Sequence, residues 1–371
     1  MTTATATPDE LRRSLADQLT DDGAIASPQW HRAFATVPRE IFVPAFTVRT
    51  PEGRRAYRDG EPGWLPTVYS DVSLLTQTDA HGTTTSSSSQ PSAMARMLEA
   101  LDVADGHKVL EVGTGTGYNA ALLAHRLGGD RVYSIDVDPT LVSAARAALT
   151  RAGYSPTLTA GDGMRGWLER APFDRLIATC GVHRIPDAWR TQMRRDGVMV
   201  ANLGLGIARL TVGDDYTLVG GFLPTPAAFM TARATAGDDR PPAGRQAADL
   251  VEHAAEQARD ITLPADLGGL VPQFLGGLAQ PTVEQLLLGE HRYLVHQRSG
   301  SWARIVPGAG AGARLEHGGP RDLWAELEPV LTSWVEAGQP GMEEYELRVA
   351  ADGTHVLRCG SRTWPLRAAD L

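Results

Sequence analysis

The chain has 371 residues, 42% of them hydrophobic and 21% charged, which is enough to bury at least one full core and a natural length for two domains. Lys and Arg number 35 against 44 Asp and Glu, and the resulting net charge of -9 argues against a nucleic-acid partner. The two cysteines, Cys180 and Cys359, show no CxxC or Cys/His spacing, so neither a disulfide scaffold nor a metal site is expected. No apolar run reaches the roughly 18 residues of a membrane span, and a cytoplasmic location is expected.

In chain order, residues 8–20 predict an opening helix with Pro8 and Asp9 at its start and Leu11, Leu15 and Leu19 on one face. WHRAFATVPREIFVPAF (30–46) reads as a short helix running into a Pro-bounded apolar stretch. Residues 47–90 read as a turn-rich loop without hydrophobic period, ending in TTTSSSSQP. A helix is predicted over 91–101, where Met94, Met97, Leu98 and Leu101 share a face. Strands at 108–113, 131–137, 157–163, 173–179 and 197–203 then alternate with helices at 118–127, 139–153 and 186–195, a pattern that predicts an α/β fold with a mostly parallel sheet. Residues 208–212 and 216–224 read as a closing antiparallel hairpin. The composition shifts at 234–245, where a boundary is expected. Beyond it, helices at 246–258 and 321–336 and strands at 291–296, 302–306, 344–349 and 354–358 predict a small α+β module. The expected domains are an N-terminal helical and substrate-loop region (1–90), a cofactor-binding core (91–235) and a C-terminal substrate-recognition module (246–371).

The strongest chemical signal is EVGTGTGY (111–118), between the first core strand and its helix. Gly113, Gly115 and Gly117 permit a tight turn and a close approach of a ligand to the backbone. The spacing is GxGxG, and Tyr118 stands where a dinucleotide fingerprint would place its third glycine. Asp136, at the end of the second strand, is placed to hold ribose hydroxyls, and Asp162 in GDG is placed to accept from an adenine edge. Ligands of open α/β sheets bind at such strand ends. The combination is what a class I S-adenosylmethionine (SAM) methyltransferase shows, with a Rossmann-like, mostly parallel seven-stranded sheet; NAD is the competing ligand. The candidate cofactor-binding residues are Glu111, Gly113, Thr114, Gly115, Gly117, Tyr118, Asp136, Val137, Asp162, Gly163 and Thr179.

The chain also resembles the protein-L-isoaspartate O-methyltransferase family. The resemblance runs through AFATVPREIFVPAF (33–46), VYSDVSLLTQ (68–77), SSQPSAMARMLEAL (88–101), VLEVGTGTGYNAALLA (109–124), VYSID (132–136), GDGMRGWLERAPFDRLIAT (161–179) and IPDAWRTQMRRDGVMV (185–200). It implies methyl transfer from SAM to a side-chain carboxylate in a peptide. A carboxylate is already ionised at neutral pH, so positioning and desolvation, not a general base, carry the rate. The resemblance also implies that a serine two residues before a proline positions the substrate: here Ser89, with Ser88 adjacent. Where the family usually has His after that proline, this chain has Ser92.

Other candidates stand beside these. His81 and His183 are possible cleft residues or solvated surface groups, and Cys180 a cofactor contact or a packed thiol. Arg49, Arg54, Arg55 and Arg58 would attract an acidic peptide or form a solvated face. Trp302, Trp324, Trp334 and Trp364 are expected to fill a core, with some forming a peptide groove. The extended C-terminus resembles homologues that tailor ribosomally made peptides such as lanthipeptides and graspetides. That likeness makes Asp methylation in a cyclised precursor peptide, leading to succinimide or isoaspartate, the leading expectation. General isoaspartate repair is the second, and a non-catalytic SAM-binding scaffold the third.

Overall fold

The computed structural model describes residues 6–233, 235 and 255–366. The chain begins with helix α1 (Pro8–Asp21), closed by a capping box between Thr7 and Glu10, and α2 (Pro28–Thr36), capped by Ser27. Their apolar faces, with Leu15, Leu19, Trp30 and Phe34 buried, enter the core on one side of the main sheet.

The predicted loop over 47–90 is instead a small antiparallel sheet. Its strands are β1 (Ala45–Thr50), β2 (Gly53–Arg58), β3 (Leu74–Thr78) and β4 (Thr84–Ser88), in the order β2-β1-β3-β4, with helix α3 (Trp64–Val68) between β2 and β3. Only Phe46, Val48 and Leu74 anchor its inner face, and β2 and β4 are Arg-, Thr- and Ser-rich, so no apolar alternation marks them in the sequence.

After α4 (Pro91–Leu101) the chain alternates through β5 (Val109–Val112), α5 (Tyr118–Leu127), β6 (Val132–Asp136), α6 (Pro139–Arg151), β7 (Thr157–Ala160), β8 (Phe173–Val182), α7 (Asp187–Thr191) and β9 (Met193–Leu203). Strands β9-β8-β5-β6-β7 pair in parallel. Successive strands step from β5 to β7 in one direction and then return to the other side of β5, which opens a crevice at the C-terminal ends of β5 and β8. The helix expected at 186–195 is a short one, because β9 starts at Met193 and pairs there with Phe173.

The hairpin β10 (Gly206–Val212) and β11 (Leu218–Phe222) follows, but it does not close the sheet. Beyond residue 254 come β12 (Gln257–Thr262), α8 (Leu270–Ala279), β13 (Glu284–Leu288), β14 (His291–His296), β15 (Ser301–Pro307), β16 (Gly312–Gly318) and α9 (Leu323–Glu336). The last strands, β17 (Glu346–Val349), β18 (His355–Cys359) and β19 (Arg362–Pro365), return to the main sheet, where β17 pairs with β11. The seven expected strands thus become ten, ordered β19-β18-β17-β11-β10-β9-β8-β5-β6-β7, while β12-β16-β15-β14-β13 form a separate sheet. The boundary at 234–245 and most of the helix expected at 246–258 lie outside the described residues; Gln257 and Ala258 belong to a strand. Trp302, Trp324 and Trp334 are buried, and Trp364 is half-buried against Tyr345.

The returning strands also brace the crevice. His355 on β18 accepts a hydrogen bond at Nε2 from the Ile185 N–H at 3.0 Å, in the loop that follows β8. Burial pushes its pKa down to about 4 from an ordinary value near 6.5. Between those values the unfolded chain takes up a proton that the folded chain refuses, so stability falls as the pH falls through this window. The full loss is roughly 3 kcal/mol. Because the raised Glu111 carboxyl acts in the opposite sense over the same window, the comparison isolates His355: urea midpoints from pH 7 to pH 4 are expected to fall more on acidification in the wild type than in His355→Asn, and equal slopes would refute the assignment.

Candidate active site

The turn after β5 is built from what its glycines allow. Gly113, Gly115 and Gly117 have φ of +99°, +51° and +89°. The Gly113 N–H donates to Ile135 O at 2.8 Å, and the Thr179 hydroxyl donates to Gly113 O at 2.7 Å, so the turn is tied to both neighbouring strands. A Cβ on Gly113 would lie 2.8 Å from Thr179 Oγ1, and one on Gly163 only 2.5 Å from Val112 Cγ1. At the end of β6, Asp136 accepts from the Gly115 N–H at 2.8 Å and from the Asp138 N–H at 3.1 Å. Burial raises its pKa, and the two backbone donors work against that rise.

A cavity of about 600 Å³ opens over this turn. Of the expected cofactor residues, Gly113, Thr114, Gly115, Tyr118, Asp136, Val137, Gly163 and Thr179 line it. Glu111, Gly117 and Asp162 do not. Glu111 is fully buried beneath the turn, where it accepts from Ser134 and, at 2.7 Å, from Asn119. Burial pushes its pKa up to about 7, partly offset by those two donors. Gly117 starts α5 and packs against Ala145, whose Cβ would lie 3.0 Å from a Cβ at that position. The Asp162 carboxylate accepts from the Met164 N–H at 2.9 Å and caps the following short helix, so Gly163 and Met164, not Asp162, face the cavity.

The second wall is the edge strand β4 and its continuation to Ser89. It lies directly over the glycine turn, for a Cβ on Gly115 would be 3.6 Å from Ser87 O and 3.7 Å from Ser86 Oγ. Ser88 and Ser89 both line the cavity, but strand alternation gives them different surroundings. Ser88 is buried with its register partner Leu74, and its hydroxyl accepts from Arg39 Nε and Nη2, each at 3.3 Å. Ser89 is partly exposed, and its carbonyl accepts from Arg39 at 3.0 Å. Arg39 is itself fully buried and also donates to the carbonyls of Val68, Ser70 and Val72, with its guanidinium 5.7 Å from the Tyr118 ring. Burial lowers its pKa to about 10, so it is charged at neutral pH.

Sequence reasoning did not anticipate the rest of the cavity. Phe229, Met230 and Arg233 reach it because the segment crosses the end of β8, where the Gly181 N–H donates to Met230 O and the Ala232 N–H to Gly181 O, both at 2.8 Å. Pro281 and Thr282, just ahead of β13, and Gln297, just after β14, come from the connections of the separate five-stranded sheet. These positions are remote in sequence and carry no motif. Of the minor candidates, His183 and Cys180 line the cavity and His81 is exposed outside it. Burial pushes the Cys180 thiol up to about 12, so it is inert at neutral pH.

The residues present fit a sulfonium nucleoside. The glycine turn admits a ligand where any side chain would clash, Asp136 offers a carboxylate at the strand end, and α5 begins beside the turn. Thr83, Thr84 and Ser86 line the cavity with buried hydroxyls that have no hydrogen-bond partner among the described residues, as surfaces shaped for a polar ligand do.

Residues 10–212 match the family model described as protein-L-isoaspartate(D-aspartate) O-methyltransferase. A protein-L-isoaspartate O-methyltransferase of Hyperthermus butylicus is 38% identical over 205 residues, covering 53% of this chain and 76% of that protein. One of Methanothermobacter thermautotrophicus is 34% identical over 217 residues, covering 56% of this chain and 89% of that protein. A solved structure of a protein-L-isoaspartate O-methyltransferase superposes with a TM-score of 0.56 at 25% identity, covering 94% of this chain and 99% of its own. That likeness therefore extends through the C-terminal region as well as the core.

Proposed function

Since the chain belongs to the protein-L-isoaspartate(D-aspartate) O-methyltransferase family, which takes in residues 10–212, we propose that it methylates the side-chain carboxylate of isoaspartyl residues in peptides and proteins, with SAM as donor. The observation that carries this reading is the placement of β4 and Ser89 over the glycine turn, so that one cavity holds both a nucleoside cradle and a hydroxyl-lined peptide wall. SAM, when bound, supplies an electrophilic methyl group on a positively charged sulfur. The glycine turn and Asp136 hold the nucleoside part. The acceptor carboxylate is ionised at neutral pH without help, so the chain needs no base. Ser89 orients that carboxylate through its hydroxyl, while Ser88 belongs to the Arg39 clamp. Met94, Phe229 and Met230 exclude water from the reacting groups.

Incubation with SAM and paired peptides that differ only in isoaspartyl or aspartyl linkage tests the reading. Base-labile methyl incorporation into the isoaspartyl form is expected, and its absence would overturn the proposal. Ser89→Ala is expected to lower kcat by about tenfold to a hundredfold with an unchanged dissociation constant for SAM, measured by calorimetry. A matching loss in Ser88→Ala alone would reassign the role.

A second reading, tailoring of an Asp in a macrocyclic ribosomally made peptide, is favoured by Pro281, Thr282 and Gln297, which bring the separate sheet to the cavity, and by Ser92 in place of His. The likeness of 94% of the chain to a solved protein-L-isoaspartate O-methyltransferase supports the first reading over it. Preferential methylation of a cyclised precursor over linear isoaspartyl peptides would reverse that order.

A further inference from the structure

Although the chain carries a net charge of -9, the hairpin β1–β2 concentrates Arg49, Arg54, Arg55 and Arg58. Among the described residues none of the four lies in an ion pair. The register sets Arg49 directly opposite Arg54 and places Arg58, opposite Ala45, on the same face, with Thr47 and Ala56 between them. Like charges that face each other across two strands destabilise a hairpin, and among the described residues no carboxylate pairs with any of these guanidinium groups. The other face is the core side: Phe46 and Val48 are buried, Tyr57 stacks on Phe46 at 5.5 Å, and Arg55 lies over Tyr57. Arg49, Arg54 and Arg58 thus form an exposed cationic face, from which Arg54 Nη1 donates to Gly82 O at 3.3 Å.

That face is continuous with the cavity wall. Ala56 pairs with Thr47, Thr47 with Leu75, and Leu75 with Ser87, so one row of residues crosses the four-stranded sheet on the arginine side and ends at a cavity-lining serine. Three strand spacings put β2 about 14 Å from β4, the reach of roughly four or five extended residues. Glu52 in the hairpin turn, and Glu61, whose carboxylate accepts from the Arg58 N–H, flank the arginines and disfavour a long polyanion such as nucleic acid.

We infer that this arginine face docks an acidic segment of the peptide substrate, about four to six residues from the residue that is methylated. The inference rests on the reading that the substrate is a peptide, and its test is a binding measurement that needs no turnover. Two fluorescent isoaspartyl peptides are compared, one with three Glu at that separation and one with Gln in their place. At low ionic strength the acidic peptide is expected to bind the full chain about tenfold more tightly, and the preference is expected to shrink with added salt. Arg49→Gln/Arg54→Gln/Arg58→Gln is expected to abolish the preference while leaving methylation of a short neutral isoaspartyl peptide unchanged. Charge reversal in Arg54→Glu, which leaves Arg49 and Arg58 in place, is expected to weaken the acidic preference more than Arg54→Gln does. Equal affinity for the two peptides, or a preference that survives in the triple variant, would overturn the inference. So would a short oligonucleotide that competes better than the acidic peptide. Absence of methyl transfer with clear acidic preference would instead count against the proposed activity and leave the docking face standing.

Discussion

Replacing Arg39 with methionine is expected to destabilise the protein by about 3 kcal/mol or more and to lower kcat at least about tenfold. The guanidinium is fully buried and donates to two segments of chain: the carbonyls of Val68, Ser70 and Val72 on one side, and those of Ser88 and Ser89 with the Ser88 hydroxyl on the other, reinforcing the pairing of β3 with β4. Methionine fills part of the volume but leaves those buried acceptors without donors, at about 1–3 kcal/mol for each that water cannot reach. The serine wall then keeps its pairing with β3 but loses the buried donors that fix Ser88 and Ser89. Arg39→Lys keeps the charge, yet a single ammonium cannot span acceptors on both sides, so an intermediate loss is expected. Urea midpoints and steady-state kinetics together check this. An Arg39→Met protein with wild-type midpoint and kcat would show that the clamp is dispensable.

Gly113→Ala is expected to raise the SAM dissociation constant at least about tenfold and to cost the fold about 2 kcal/mol. Two effects add. The residue sits at φ +99°, where a Cβ strains the backbone, and that Cβ would be 2.8 Å from Thr179 Oγ1, which is itself committed to Gly113 O. Thr179→Ala in the Gly113→Ala background removes the clash but not the strain, so partial recovery of stability is expected, with a coupling energy measurable in a double-mutant cycle. Calorimetric titration and thermal melting of the four proteins read both effects. Unaltered SAM affinity in Gly113→Ala would remove the turn from the cofactor site.

The parts of the site legible in the sequence are those whose chemistry is local. The GxGxG turn with Asp136 one strand later is short-range geometry, and helix α5 occupies the residues its period predicts, Tyr118–Leu127. What escaped detection depends on tertiary context. Strand β4 is built of Thr and Ser because it meets Arg39 at Ser88 and lines the cavity along its length, so it shows no apolar alternation and reads as linker. Asp162 has the spacing of a ligand-binding acid, yet its carboxylate is used by the backbone turn it begins. Phe229, Met230, Thr282 and Gln297 meet the site only because distant segments fold over the strand ends. The burial of Arg39 has no local signal at all, since a cation beside Pro38 and Glu40 reads as a surface residue.

The return of β17 to the edge of β11 bears on how the chain is made. Leu218 and Phe222 lie on that edge, and Gly220 approaches β10 so closely that a Cβ there would fall 1.9 Å from Arg209 O. During ribosomal synthesis the methyltransferase half emerges first, but its hairpin offers an open hydrogen-bonding edge until residues 346–349 arrive, more than 120 positions later. The nascent methyltransferase half carries that unpaired edge while the second sheet is translated, and a holdase would have most to shield in that interval.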